Sequence, residues 1–111
     1  MADCIFCKIA NKEIPSQAAY EDDVIYAFHD LEPQAPVHVL IVPKRHIASM
    51  DAIDFDDMES LGWLMAKVKD IAASLGLENG YRLVCNCGPD AMQTVQHLHF
   101  HLLGQRQLLW P

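Results

Sequence analysis

The chain has 111 residues, about half of them apolar, with 15 acidic against 8 basic side chains and a formal charge of −7. That length suits one domain with a small core, which often leans on a metal or a second subunit for stability. The acidic balance argues against long nucleic acid as a partner, because such binding runs on clustered Lys and Arg, and Lys44-Arg45 is the only adjacent basic pair. A single phosphate needs only a few local donors, so a small anionic ligand stays open. The opening Met-Ala-Asp-Cys-Ile-Phe-Cys-Lys lacks the basic flank and apolar run of a secretory signal. No apolar stretch is long enough to span a bilayer, so the cytoplasm is the expected compartment. Without internal repeats or a Ser/Gly linker, residues 1–111 read as one domain.

In chain order, residues 4–10 place Ile5, Phe6 and Ile9 at helical spacing, with Asp3 as N-cap. Ile14-Pro15 ends that short helix. Residues 17–20 and 24–28 read as two strands joined across the acidic turn Glu21-Asp22-Asp23. Between Asp30 and Pro36 two prolines discourage both helix and ladder, which predicts an ordered loop. His38 to Val42 is a compact buried strand stopped by Pro43. A long helix follows, capped by Asp54, with Asp57 in its first turn and Gly76 at its exit. Its Met58, Leu61, Met65, Val68, Ala72 and Leu75 keep the three-four spacing of one stripe and are assigned to the core. After the turn Glu78-Asn79-Gly80 come a strand over 81–86, a polar loop from Cys87 to Thr94, and a last strand over 95–103. This order and these short connections describe an α+β domain with helices packed on an antiparallel sheet.

Six histidines are many for so short a chain, and three of them alternate as His97-Leu98-His99-Phe100-His101. In a strand the apolar partners turn to the core while three imidazoles line the opposite face, each roughly 6–7 Å from the next. Ordinary outer faces use Thr, Lys, Glu and Ser. A metal site is one reading, since imidazole is a common ligand, but alternate strand positions are too far apart to close on one ion unaided. Phosphorus chemistry fits better: one neutral imidazole attacks while its neighbours hydrogen-bond the phosphoryl oxygens or steer the ring.

Residues 93–103, Gln-Thr-Val-Gln-His-Leu-His-Phe-His-Leu-Leu, resemble the signature of the histidine-triad (HIT) superfamily, His-φ-His-φ-His-φ-φ with φ apolar. The likeness runs along the chain, through Ile-Phe-Cys-Lys-Ile at 5–9, Glu-Ile-Pro at 13–15, Ala-Phe-His-Asp at 27–30, Pro-Gln-Ala-Pro-Val-His at 33–38, Gly-Tyr-Arg at 80–82 and the ending Leu-Gly-Gln-Arg-Gln-Leu-Leu-Trp-Pro. These segments look like the nucleotide-binding, purine nucleoside phosphoramidase branch. The resemblance implies a HIT-like fold with about five antiparallel strands, one short helix and one long one. It implies hydrolysis of purine nucleoside phosphoramidates or related adenylyl conjugates through a nucleotidyl-histidine formed on His99. By the same likeness His101 donates to the phosphoryl oxygens, His38 helps hold the catalytic ring, and Thr94 assists the leaving group. Asn86 lies near the phosphate, Asp30 accepts the ribose hydroxyls, and Ile5, Phe6, Ile9, Phe28 and Leu31 form a purine cleft. Gln93 and Trp110 also match nucleotide-site positions, Trp110 as a residue reaching the partner subunit of a homodimer. Two other readings stay open: a dinucleoside polyphosphate hydrolase, which Gln93-Thr94-Val95 also resembles, and a nucleotide-binding interaction module with incidental turnover. Ala91-Met92 departs from the family's Gly-Gly, which puts the shape of the phosphate-side loop in question.

Cys4-Ile-Phe-Cys7 is a Cys-x-x-Cys unit, hence a redox pair, half a zinc site or two buried thiols. No thioredoxin-like βαβ context surrounds it. His46 and His97 can supply the other half of a closed structural zinc site, and the chain resembles zinc-bearing superfamily members in which the first triad histidine is a ligand. Cys85 and Cys87 read as free thiols, with a four-cysteine site as the alternative.

Overall fold

The computed structural model describes residues 4–111. Five strands form one antiparallel sheet: β1 (Ala18–Glu21), β2 (Ile25–His29), β3 (Val37–Pro43), β4 (Tyr81–Val84) and β5 (Phe100–Gly104), in the order β1-β2-β3-β5-β4. Two helices accompany it, the short α1 (Ile5–Ala10) and the long α2 (Met58–Ser74). This is the α+β arrangement expected from the order of elements, with the five antiparallel strands and the short and long helix that the resemblance implies. No helix among the described residues is long and apolar enough to cross a membrane.

Strand alternation gives the sheet two apolar faces, and each receives one helix. Ile25, Ala27, Val39, Ile41, Phe100 and Leu102 pack with Leu61, Leu64, Val68, Ile71 and Ala72 of α2. On the other face Tyr26, Phe28, Leu40 and Val42 pack against Phe6, Ile9 and Ala10 of α1. The central strands β2 and β3 are therefore buried almost throughout. Because α1 covers only part of its face, His38 and His101, which share that face with Leu40, line its edge.

Local signals explain the ends of α2. Asp54 and Asp57 form a reciprocal capping box over the tight turn Phe55–Asp57 that leads into the helix. At the exit Gly76 takes a left-handed φ of +76°, while Leu77 N–H reaches back to Ala72 O at 3.0 Å. Gly104 is needed for a different reason: a Cβ there would lie 2.6 Å from a Leu77 methyl, so β5 and the turn after α2 touch through its missing side chain.

Several expectations need correction. Asp3, the expected cap of α1, lies outside the described residues; Cys4 stands at the N-cap, and its sulfur accepts from Cys7 N–H at 3.3 Å. The buried stripe of α2 is Leu61, Leu64, Val68, Ile71 and Ala72, while Met58 and Met65 are 47% and 46% exposed and Leu75 is half-buried. The last strand begins at Phe100, not at residue 95. Ile41–Phe100 is its final register pair with β3, because β3 ends at Pro43, which has no N–H to extend the ladder. His97 and His99 thus lie in an irregular approach to β5, although Leu98 and Phe100 still point into the α2 core. The strand foreseen over 81–86 stops at Val84.

Candidate active site and metal centre

The register places Leu40 opposite His101 and Leu103 opposite His38, so His38 and His101 are diagonal neighbours on one face. His38 Nε2 and His101 Nδ1 are 2.8 Å apart, and the His99 and His101 rings lie 5.1 Å centre to centre. The His99 and Phe6 rings stand nearly perpendicular, 5.0 Å centre to centre. Four of the expected residues therefore come together: three imidazoles and the aromatic wall supplied by α1.

The hydrogen bonds fix which nitrogen of each ring carries the proton. Gln34 N–H donates to His38 Nδ1 at 3.0 Å, so a neutral His38 must hold its proton on Nε2. That Nε2–H donates to His101 Nδ1, which leaves His101 with a proton on its own Nε2. His99 Nδ1–H donates to the His97 carbonyl at 2.7 Å, which leaves Nε2 of His99 with a free lone pair. Burial pushes His101 down to about 4, and the adjacent His99 and His38 rings add to the shift. Burial also lowers His38, against the opposing pull of Asp30. A lone pair on His99 thus stands beside an N–H donor on a neutral His101.

Asp30, His38 and His101 also bring three potential metal ligands within 4.8 Å. An ion there would require lone pairs on both His38 Nε2 and His101 Nδ1. The Gln34 N–H facing His38 Nδ1 keeps the proton on Nε2, so these groups form a hydrogen-bond relay instead. Asp30 has its own local tasks. Its Oδ1 accepts from Glu32 N–H at 2.8 Å, and its Oδ2 lies 3.4 Å from His38 Nε2.

The remaining expected residues distribute around this array. Phe6, Ile9 and Phe28 belong to the α1-side core, with Phe6 edge-on to Phe28, while Ile5 is half-exposed and Leu31 is 97% exposed. Asn86 is half-buried just after β4, and Thr94 is exposed in the loop before the histidines. Gln93 is engaged within that loop. Its Oε1 accepts from Gly88 N–H, and its Nε2 donates to Ala48 O and Val95 O, so its amide braces the loop and has no donor left for a ligand. Trp110 is 88% exposed, with the Arg82 guanidinium 5.5 Å over its ring and Arg82 Nη1 donating to Leu109 O. Met92, at the departure from Gly-Gly, takes the left-handed conformation (φ 63°, ψ 36°) that glycine favours.

A second constellation lies behind His99. Cys4 Sγ and Cys7 Sγ are 3.2 and 3.5 Å from His97 Nδ1, Cys7 Sγ is 3.4 Å from His46 Nδ1, and the two Nδ1 atoms are 3.2 Å apart. Tetrahedral zinc with ordinary Zn–N and Zn–S bonds spaces its ligand atoms by about 3.3–3.8 Å, so the donor set fits. The fully buried His97 is pre-set for the task, because its Nε2–H donates to Pro43 O at 2.8 Å and directs the Nδ1 lone pair to the cluster. Burial and the neighbouring Cys4 push the Cys7 thiol up to about 11, the environment of a thiol that needs a metal to lose its proton. Cys85 and Cys87 are free thiols outside this cluster, and Cys85 packs on the main core. The four-cysteine alternative is thereby set aside. Sequence reasoning missed Gln34, Pro43 and the His97 carbonyl, because each acts through its backbone and no side-chain pattern marks it.

Residues 11–108 match the HIT domain family. The chain is similar to an uncharacterized HIT-like protein of Synechococcus elongatus, 52% identical over 109 residues that cover 98% of this chain and 96% of that one. It is also similar to a 14 kDa zinc-binding protein of Zea mays, 48% identical over 96% of this chain and 85% of that one. Among solved structures, a HIT family hydrolase from Legionella pneumophila superposes with a TM-score of 0.94 at 49% identity, covering 98% of each chain.

Proposed function

The chain belongs to the HIT domain family, and from that premise we propose that it is a nucleotide hydrolase in which His99 attacks phosphorus through Nε2. The observation that carries this reading is the proton arrangement: Nδ1–H of His99 is held by a carbonyl, and His101 is left with an N–H to donate. The substrate class is purine nucleoside phosphoramidates and related adenylyl conjugates. As the P–Nε2 bond forms, the P–N bond to the leaving amine breaks, and the Thr94 hydroxyl passes that amine a proton. His101 Nε2–H donates to a phosphoryl oxygen as negative charge grows there. Water then attacks the nucleotidyl-imidazole: its oxygen bonds to phosphorus as the P–Nε2 bond breaks, one of its protons returns to Thr94, and the nucleoside monophosphate and free His99 are released. Asp30 accepts the ribose hydroxyls, Asn86 lies at the phosphate, and Ile5, Phe6, Ile9, Phe28 and Leu31 bound the base.

Zinc is the metal we assign to Cys4, Cys7, His46 and His97. The donor spacing supports it, as does the likeness to a maize protein named for zinc binding. Bound there, the ion supplies a structural cross-link between α1 and the segments carrying His46 and His97, and no step of the reaction passes through it. We further assign a homodimer, for which the exposed Met58 and Met65 on the outer face of α2 and the open edge of β4 offer surface.

Rapid mixing with an adenosine phosphoramidate should give a burst of amine release and a nucleotidyl adduct on the peptide that contains His99. His99→Ala should lower kcat by several orders of magnitude and leave nucleotide binding largely intact, since the cleft and ribose contacts are unchanged. Near-normal turnover in folded His99→Ala protein overturns the mechanism. Rates measured in parallel on a diadenosine polyphosphate decide between the two substrate classes.

A further inference from the structure

The relay begins at one backbone amide, Gln34 N–H, on an exposed segment. Leu31, Glu32, Pro33, Gln34 and Pro36 are all exposed and only Ala35 is buried, so packing does little to hold this loop. Most of its hydrogen bonds are local: Glu32 N–H to Asp30 Oδ1, and Gln34 Nε2 to Glu32 O. One comes from far away in sequence. Arg106 Nη2 donates to Gln34 O at 2.7 Å, while Arg106 Nη1 donates to Gln107 O at 3.0 Å.

The chain around Arg106 is arranged for this reach. β5 ends at Gly104, and Gln105 then takes a left-handed φ of +67°, which a non-glycine residue adopts only at a cost. Gln105 Nε2 is anchored on Leu75 O at 3.3 Å, tying the turn to the end of α2. A strained residue held by its own hydrogen bond, directly before an arginine that bridges 72 residues, marks this turn as a built feature.

We propose that Arg106 is a positioning residue for the histidine relay: by holding the Gln34 carbonyl it keeps Gln34 N–H on His38 Nδ1 and His38 Nε2–H on His101. Residue 34 has one peptide unit on either side of its Cα. Arg106 fixes the later unit, and the earlier one, stiffened by Pro33, then presents its N–H to the imidazole. Without that hold the loop can turn the N–H away, and His38 is free to take the other tautomer. His101 would then lose its donor at Nδ1 and with it the fixed proton on Nε2. The fork matters as well, since one guanidinium satisfies two carbonyls at once and a lysine ammonium on a single stem does not reproduce that geometry.

The proposal rests on His99 and His101 being the catalytic pair, so its test reads the tautomers apart from the rate. Arg106→Met and Arg106→Lys would be compared with the parent full chain by nitrogen-15 spectra of histidine-labelled protein and by steady-state kinetics on an adenosine phosphoramidate. In Arg106→Met the His38 and His101 nitrogen shifts should move from fixed tautomers toward averaged values. Its kcat should fall about tenfold with KM changed by less than about twofold, the pattern of a lost transition-state interaction. Arg106→Lys, which keeps a charged donor but only one donor nitrogen in place of the fork, guards against a folding failure in the first variant and should recover part of both readouts. Unchanged nitrogen shifts in Arg106→Met overturn the proposal whatever the rate. A raised KM with kcat preserved also overturns it, because Arg106 would then be touching the ligand itself. Shifted tautomers with full turnover would leave the relay standing and sink the assignment of His38 and His101 to catalysis.

Discussion

Cys4→Ser separates the role of the metal cluster from that of the helix cap. Cys4 does two things: its sulfur stands 3.2 Å from His97 Nδ1, and it caps α1 by accepting from Cys7 N–H. Serine is among the best capping residues, so the substitution keeps the cap and removes only a soft metal donor. The six residues of α1 are too few to hold a helix alone, and once the metal is gone they depend on Phe6, Ile9 and Ala10 packing against the sheet. A ligand present at a thousand times its dissociation constant adds about 4 kcal/mol to the native state. For a domain of this size that corresponds to about 15–20 °C in the melting temperature. Calorimetry on protein as isolated, chelated protein and Cys4→Ser should therefore show one high and two low transitions, with metal analysis finding about one zinc per chain only in the first. Amide exchange should quicken in α1 before it does in α2. If Cys4→Ser melts with the parent, or if chelation changes nothing in protein that carried zinc, the cluster is not holding α1 in place.

Three further outcomes follow from the same geometry. Asp30→Asn keeps an oxygen for Glu32 N–H but removes the charge, so it should weaken ribonucleotide binding by about 1.5–3 kcal/mol and 2′-deoxy binding far less; equal losses in a titration of the two would remove Asp30 from the ribose site. His101 is held near 4, below an ordinary imidazole, so the unfolded chain binds the extra proton first. Its neutral form contributes stability that is whole above about pH 6.5 and is lost as pH falls toward 4. Urea midpoints should drop less steeply over that window in His101→Gln than in the parent, and parallel slopes would contradict the shift. Met92→Gly relieves a left-handed residue at about 1–2 kcal/mol and costs about 0.5–1 kcal/mol in chain entropy, with little burial lost from a side chain 78% exposed. A net gain of about 0.5–1 kcal/mol should appear as a higher urea midpoint, and a loss would show that the Met92 side chain has a contact in solution.

Much of the architecture was legible because its signals are local. Asp54, Asp57 and Gly76 mark the ends of α2 wherever the helix packs, and alternation in residues 97–102 puts Leu98, Phe100 and Leu102 in the core. The stripe of α2 was harder. The helix carries two neighbouring apolar rows, one through Leu64 and Ile71 and one through Met58 and Met65, and periodicity alone does not tell which row meets the sheet. The start of β5 was illegible for another reason: a ladder needs a partner, and β3 runs out at Pro43 while the alternating pattern continues. Alternation alone puts three imidazoles on one face; the Cys-x-x-Cys unit was the signal that assigned His97 to the thiols, and it does turn to them, while His99 turns to His101 and Phe6.

That split gives His97 two unrelated duties. Its ring belongs to the metal cluster, while its carbonyl accepts the Nδ1–H of His99 and so sets the tautomer of the nucleophile we propose. Any substitution of His97 removes a metal ligand, and by shifting the backbone it also disturbs the carbonyl that the next histidine needs. A loss of activity in such a variant therefore cannot be assigned to either duty. Cys4 has no hydrogen bond to the His99 ring; it caps α1, and its sulfur meets the ring of His97 and not that carbonyl. If the metal matters to turnover only by fixing His97, Cys4→Ser with residual activity should still form the nucleotidyl adduct on His99, more slowly and with the same products. Loss of the adduct with α1 still ordered by amide exchange would mean that the metal acts on the reaction more directly than this geometry allows.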